Sequence, residues 1–451
     1  MNRSSALSSL LLVGIVASSA RADGVDSVEN PILAQVRSIQ QGVAKMRGLE
    51  YQAPVKVGVK KPEELLALLQ ESFDEEAPVE EVLKQEKVLK AFGLIPRDYD
   101  LRGETLKLMS SQIGGFYDPE RKELFLVERK LDGVMGKQGQ EMNDRMVMAH
   151  ELHHALQDQN FALDRWFAVL GEHEDRVQGY KSLVEGEAQL MGMAFLMGKN
   201  VDLKGLNRMQ KMMMKMSPEG KEMAAIPPYI LENTMFPYTQ GGEFVQELKR
   251  KLGWDGVSAA FSDPPTSTEQ VLHPEKFFGE RDEPTELRLP STLKTQLGKK
   301  TTELYGNTLG EFSISLLLRA LGLDEKAANA AAAGWDGDRF EGYETEDGRT
   351  VVVWLSTWDS AAEAEAFQRA YAPALKAHSP SAHLERRGTE VLLLDGANED
   401  ERAALAERAF LSLKVEERIV PLPAMTGKPP RSDFGPEPEP EPQQKGKSRL
   451  Y

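Results

Sequence analysis

Residues 141–161 read EMNDRMVMAHELHHALQDQNF, with His150-Glu151-Leu152-His153-His154 at the centre. Met142, Met146, Ala149, Leu152, Ala155 and Leu156 recur at helical spacing, which predicts an amphipathic helix. On it, His150 and His154 stand one turn apart on one face, so both imidazoles can reach a single Zn²⁺. Glu151, beside the first imidazole, is placed to act as general base on a metal-activated water. His153 falls off that face and reads as a neighbour rather than a ligand. Gln157 and Asp158 are candidates to orient His154, although surface helix positions are their plainer reading.

A catalytic zinc needs a third protein ligand and an open position. The extended form with a nearby third histidine is absent, because position 157 is Gln and position 160 is Asn. The downstream candidates are Glu172, His173, Glu174, Glu185 and Glu187. Glu185 lies in Ser182-Leu183-Val184-Glu185-Gly186-Glu187-Ala188, inside a helix predicted over 175–197, and Gly186 would let another helix come close. By composition alone, the reading of Glu185 as a solvated helix acid is the stronger one.

Composition narrows the chemistry. The 451 residues contain no cysteine, which removes disulfides, thiol nucleophiles and zinc-thiolate sites. The formal charge is −16, unsuited to sequence-independent binding of nucleic acid or of anionic membranes. Arg3, the apolar stretch 6–17 and Ala20-Arg21-Ala22 predict a cleaved signal peptide over 1–22. Without a lipidation cysteine, a secreted or periplasmic product with no stable membrane anchor is expected.

The combination of His150-Glu151-x-x-His154 with a later Glu185-Gly186-x-Ala188 helix resembles the gluzincin branch of zinc metallopeptidases. Gly115-Phe116-Tyr117-Asp118-Pro119 and the stretch Pro265 to Lys276 are similar to a group of exported bacterial HExxH proteins, over roughly residues 60–360. The resemblance implies an α+β, mostly helical zincin-like domain with a small hairpin or sheet. It also implies zinc held by His150, His154 and Glu185, a peptide or protein substrate, and Glu151 as base. Such sites place a tyrosine or histidine near the oxyanion, which makes Tyr238 and His273 the candidates. The interval from His154 to Glu185 is longer than in the familiar gluzincins, where the short spacing would fall at His173.

Around this centre the sequence divides into a helical segment over 23–100, with helices from Pro62 and over 80–92, and a metallopeptidase domain over 101–285 opened by a hairpin at 113–127. A separate smaller α+β unit of ββαββα pattern follows over 300–415, then a Pro/Glu-rich tail over 421–451 that cannot form a core. One further helix is expected over 242–252, and another over 307–321. Met209, Met212, Met213, Met214, Met216 and Met223 suggest a flexible apolar helix, conceivably a lid. They leave open a copper-handling role through thioether ligands. A metal- or partner-binding envelope protein that has lost hydrolysis is the other alternative.

Overall fold

The structure is a computed structural model. It describes residues 31–415 apart from positions within 62–76 and the stretches 113–114, 119–120, 128–135, 164–165, 167–168, 171–172, 218–219 and 221–222. The expected signal peptide, the Pro/Glu-rich tail and most of the helix expected from Pro62 lie outside the described residues. No helix among the described residues is long and apolar enough to cross a membrane.

The architecture is α+β. Helix α1 (Pro31–Arg47) leads into strand β1 (Lys56–Lys60), then α2 (Val79–Phe92) and α3 (Leu101–Gln112). Strands β2 (Gly115–Asp118) and β3 (Glu123–Val127) precede four long helices: α4 (Gly136–Phe161), α5 (Glu174–Met197), α6 (Leu203–Met216) and α7 (Pro228–Ala260). Short helices α8 (Thr268–Leu272) and α9 (Pro274–Phe277) connect to β4 (Glu286–Arg288) and α10 (Thr292–Gln296). The C-terminal part runs β5 (Thr302–Asn307), α11 (Gly310–Ala320), α12 (Glu325–Ala332), β6 (Trp335–Glu344), β7 (Thr350–Trp358), α13 (Ala361–His378), β8 (His383–Arg387), β9 (Glu390–Asp395), α14 (Glu399–Ala409) and β10 (Leu413–Val415).

The expected hairpin forms as β2–β3, with Phe116 opposite Phe125. It gains a third strand that the helical reading of 23–100 did not contain: β1 runs parallel to β3, with Lys56 beside Glu123. The segment 23–100 is in fact shared between two cores. Val36, Ile39 and Val43 of α1 pack with Ala149, Leu152 and Leu156 of α4. Helix α2 packs on the C-terminal sheet instead, where the Phe92 ring meets Phe340 edge-on at 5.0 Å between centroids.

That sheet has the order β5-β6-β7-β9-β8, all pairs antiparallel. It contains the expected ββαββα elements plus β5, which occupies part of the helix expected from residue 307; the helix begins only at Gly310. Asp338 explains the break. Its buried carboxylate accepts the backbone N–H groups of Leu309 and Gly310, both at 2.9 Å, and the indole N–H groups of Trp335 and Trp354 at 2.9 and 3.0 Å. Four donors offset the cost of burying the charge and fix where the strand stops.

Helices α5 and α7 form the largest helix–helix contact and converge on small residues. A Cβ on Gly186 would lie 2.3 Å from the backbone carbonyl of Gly241, and one on Gly241 would lie 2.5 Å from the Ser182 oxygen. Backbone-to-backbone approach at this crossing brings residues 182–186 within reach of the turn that carries Tyr238. The helix expected over 242–252 proves to be the middle of the longer α7, which tolerates Pro237 and kinks at Gly253 (φ 68°).

Candidate metal centre

Helix α4 carries His150 and His154 toward α5, and α5 carries Glu185 toward them. Close packing needs a small residue opposite, and Gly192 supplies it: a Cβ there would sit 3.2 Å from the Met146 oxygen and 3.5 Å from the His150 Cβ. The result is a tight triangle. His150 Nε2 lies 3.0 Å from His154 Nε2, and each lies 3.2 Å from Glu185 Oε2. His150 and Glu185 are partly buried, and His154 is 8% exposed.

The donor chemistry fits a divalent ion. Ligand atoms bound tetrahedrally to zinc at roughly 2.0–2.2 Å stand about 3.3–3.6 Å apart, within a few tenths of an ångström of these spacings. The proton inventory agrees. His154 Nδ1 lies 2.9 Å from Gln157 Oε1, which can only accept, so the neutral ring carries its proton on Nδ1. Its Nε2 then faces another ring nitrogen and a carboxylate oxygen, positions that a shared cation would suit. The three groups also shift one another's protonation. Burial pushes His154 down, yet the charge and hydrogen bond of Glu185 outweigh it and raise the ring to about 9. Burial alone would raise Glu185, but the two imidazoles hold it well below the usual carboxylate range.

Two further side chains stand at this triangle. Glu151 accepts the Tyr117 backbone N–H at 2.9 Å, so strand β2 holds the carboxylate in place. Burial raises its pKa, opposed by the charges of His150 and His154. The Tyr238 ring stacks on His150 at 5.9 Å between centroids, which places the tyrosine beside Glu185 and Glu151. Burial, then the carboxylates of Glu185 and Glu151, push the tyrosine hydroxyl well above its ordinary value, so it remains a proton donor.

His273 is not brought to this centre. It caps the C-terminal end of α8, and its Nε2 lies 3.0 Å from Glu311 Oε1 in the first turn of α11. The Ser267 side chain caps the start of α8 and sets that direction. Of the alternative third ligands, Glu174 bonds the Tyr305 hydroxyl at 2.8 Å. His173 is the N-cap of α5, where burial and nearby arginines push it down to about 4. Glu187 points away into the core, and Glu172 lies outside the described residues.

Gln157 and Asp158 are not the surface residues that local pattern favours. Gln157 is fully buried, and its Nε2 donates to Val184 O at 2.9 Å and to Glu187 Oε2 at 2.8 Å. Asp158 accepts the Tyr117 hydroxyl at 3.0 Å and Lys122 Nζ at 2.6 Å. It thereby anchors the hairpin that holds Glu151. His153 lies off the ligand face as expected, fully buried and 3.2 Å from Glu187. Sequence reasoning missed Arg47, which is 2% exposed and ion-paired to Glu187. Its only local signal was a cation in the last turn of a helix, which reads as a dipole complement.

Most methionines of α6 stay at the surface. Met209, Met212, Met213 and Met216 are 50–80% exposed. The helix instead seats on α7 through Leu203 against Gly242 and through Asn207, which donates to Thr239 O and Glu243.

A second cluster of acids, Glu269, Asp282 and Asp359, surrounds Lys276 at 2.6, 2.8 and 3.0 Å. The Lys276 ammonium already sits among all three, so the cluster works as a structural tie.

Against known proteins, residues 299–408 match a family described as a domain of unknown function, DUF8575. That stretch covers the five-stranded sheet and its helices and excludes the metal triangle. No curated protein matches the chain. A crystal structure of "a putative hydrolase with a novel fold" from Chloroflexus aurantiacus is similar at 19% identity and a TM-score of 0.37, over 60% of this chain and 94% of that one.

Proposed function

We propose that this chain is an exported, zinc-dependent hydrolase that cleaves peptide bonds in a peptide or protein substrate. The observation that carries the reading is the convergence of His150 Nε2, His154 Nε2 and Glu185 Oε2 within 3.2 Å, beside a carboxylate that is not itself one of the three. Zinc held there supplies Lewis acidity toward a water and a substrate carbonyl. Glu151, with its raised proton affinity, takes a proton from the attacking water and passes it to the leaving amine. Tyr238 donates a hydrogen bond to the developing oxyanion. Tyr117 N–H and the Asp158–Tyr117 bond keep Glu151 aimed, because they tie strand β2 to helix α4. Two imidazoles, a distal glutamate and a tyrosine on α7 are the set that the resemblance to gluzincins implies.

The test is metal analysis of the purified chain together with a peptide-library digest. Wild type is expected to bind one equivalent of zinc and to cleave. Glu151→Gln is expected to keep the zinc and lose cleavage by about 10²–10⁴-fold. A wild type that holds no zinc, or a Glu151→Gln variant that cleaves at full rate, would overturn the proposal. Copper on the α6 methionines in place of zinc would favour the metal-handling alternative.

A further inference from the structure

Arg47, Glu187 and Gln157 form a chain of contacts that ends on His154, and it starts from a helix more than a hundred residues away in sequence. The Arg47 guanidinium pairs through Nε with Glu187 Oε1 and donates through its other nitrogen to Ser258 Oγ at 2.9 Å. It lies over the Trp254 ring at 4.6 Å from the centroid, so three contacts fix its position. Glu187 Oε2 accepts Gln157 Nε2 at 2.8 Å, and Gln157 Oε1 faces His154 Nδ1 at 2.9 Å. Arg47 and Glu187 are almost wholly buried, and so is Gln157.

We infer that Arg47 and Glu187 act as positioning residues that set which nitrogen of His154 is free to bind the ion. The argument is one of donors and acceptors. A carboxamide can turn over and exchange its oxygen for its nitrogen. Facing Gln157 are two groups that only accept, Val184 O and Glu187 Oε2, so its nitrogen must point toward them and its oxygen toward His154. That oxygen requires the proton on Nδ1 and leaves Nε2 as the lone pair that meets His150 and Glu185. Glu187 is held for that role by geometry: its Oε1 is paired with the Arg47 guanidinium, which leaves Oε2 turned toward Gln157 as an acceptor. Arg47 also engages the carboxylate nearest in sequence to Glu185, which leaves Glu185 as the acid that reaches the imidazoles. Groups that orient a metal-binding histidine in this way are worth roughly 10–100-fold in metal affinity.

The inference rests on the proposed zinc site, and its experiment separates the two. Glu187→Gln is nearly isosteric. Its amide oxygen would go to Arg47, and its NH₂ would then face Gln157 and favour the turned-over carboxamide. Zinc affinity is measured by competition with a chromophoric chelator. The His154 tautomer is read separately in metal-free protein by long-range ¹H–¹⁵N correlation, at a pH where the ring is neutral. The expected result is the Nδ1–H form in wild type, a substantial Nε2–H population in Glu187→Gln, and zinc affinity lower by about 10-fold or more. An unchanged tautomer with unchanged zinc affinity overturns the inference. If wild type binds no zinc at all, the zinc reading fails, while the tautomer comparison still decides the role of Glu187. Should Glu187→Gln be too unstable to study, Gln157→Met removes the same acceptor and gives the same two readouts.

Discussion

At the scale of single residues, the site divides into groups that hold and groups that react. The proposed mechanism puts Tyr238 in the second group, with its hydroxyl kept protonated near Glu185 and Glu151. Tyr238→Phe is therefore expected to lower kcat about 10²–10³-fold, the usual worth of an oxyanion donor, with zinc content unchanged. Steady-state kinetics beside metal analysis checks it; loss of zinc with the hydroxyl would make Tyr238 a structural residue. His273 serves as the contrast. Its bond to Glu311 places it in the joint with the C-terminal part, so His273→Ala should cost stability and leave kcat within about twofold. The i, i+4 histidines were legible in the sequence because helical spacing alone puts them on one face. Gln157 and Asp158 were not, because a polar residue on a helix carries no mark of whether its outward face meets solvent or another helix. Arg47 was illegible for a stronger reason: its meaning comes from Glu187, 140 positions away.

At the scale of elements, the metal triangle depends on how closely two helices can approach. The Gly186–Gly241 crossing leaves no room for a methyl group, since an added Cβ would meet backbone atoms at 2.3 Å. Gly186→Ala should destabilise the protein by about 1–3 kcal/mol and weaken zinc binding, because the helix that carries Glu185 has to move. Urea melts with and without zinc measure both effects; normal stability and normal zinc affinity would show that the crossing is looser than it stands. The sequence signalled this approach through the Glu185-Gly186 pair but not the partner, which lies in the Gly241-Gly242 turn of α7. Strands β1 and β5 were hidden for a related reason. Lys56-Val57-Gly58-Val59-Lys60 is short and flanked by helical patterns, and only its parallel pairing with β3 makes it a strand. After β5 the helix is delayed to Gly310, where Asp338 from another strand accepts the N–H groups of Leu309 and Gly310.

At the scale of the whole molecule, a buried acid ties α5 to the start of α8 and of α11. Asp175, in the first turn of α5, accepts the Thr268 hydroxyl at 2.5 Å and sits against Gly310, whose φ of 75° leaves no place for a side chain. Burial raises the Asp175 carboxyl to about 7, against about 3.9 in an unfolded chain. Between those values the folded protein keeps a proton that the unfolded chain has lost. Its contribution to stability is thus whole below about pH 4 and is lost as the pH rises through 7. Urea midpoints of wild type should fall across pH 5–7 more steeply than those of Asp175→Asn; parallel curves would remove Asp175 as the cause. The α+β class and the ββαββα core were readable from turn chemistry and period, whereas the packing of α2 onto that core was not, because Phe92 meets Phe340 and Trp354 across the length of the chain.

The central claim is that one zinc ion sits between two imidazoles and a distal glutamate. Anomalous diffraction at the zinc edge from crystals of the zinc-loaded chain tests it most directly. The account predicts one strong peak roughly 2.0–2.2 Å from His150 Nε2, His154 Nε2 and a Glu185 carboxylate oxygen. A peak elsewhere, on Glu187 or the α6 methionines, or no peak at this triangle, would contradict it.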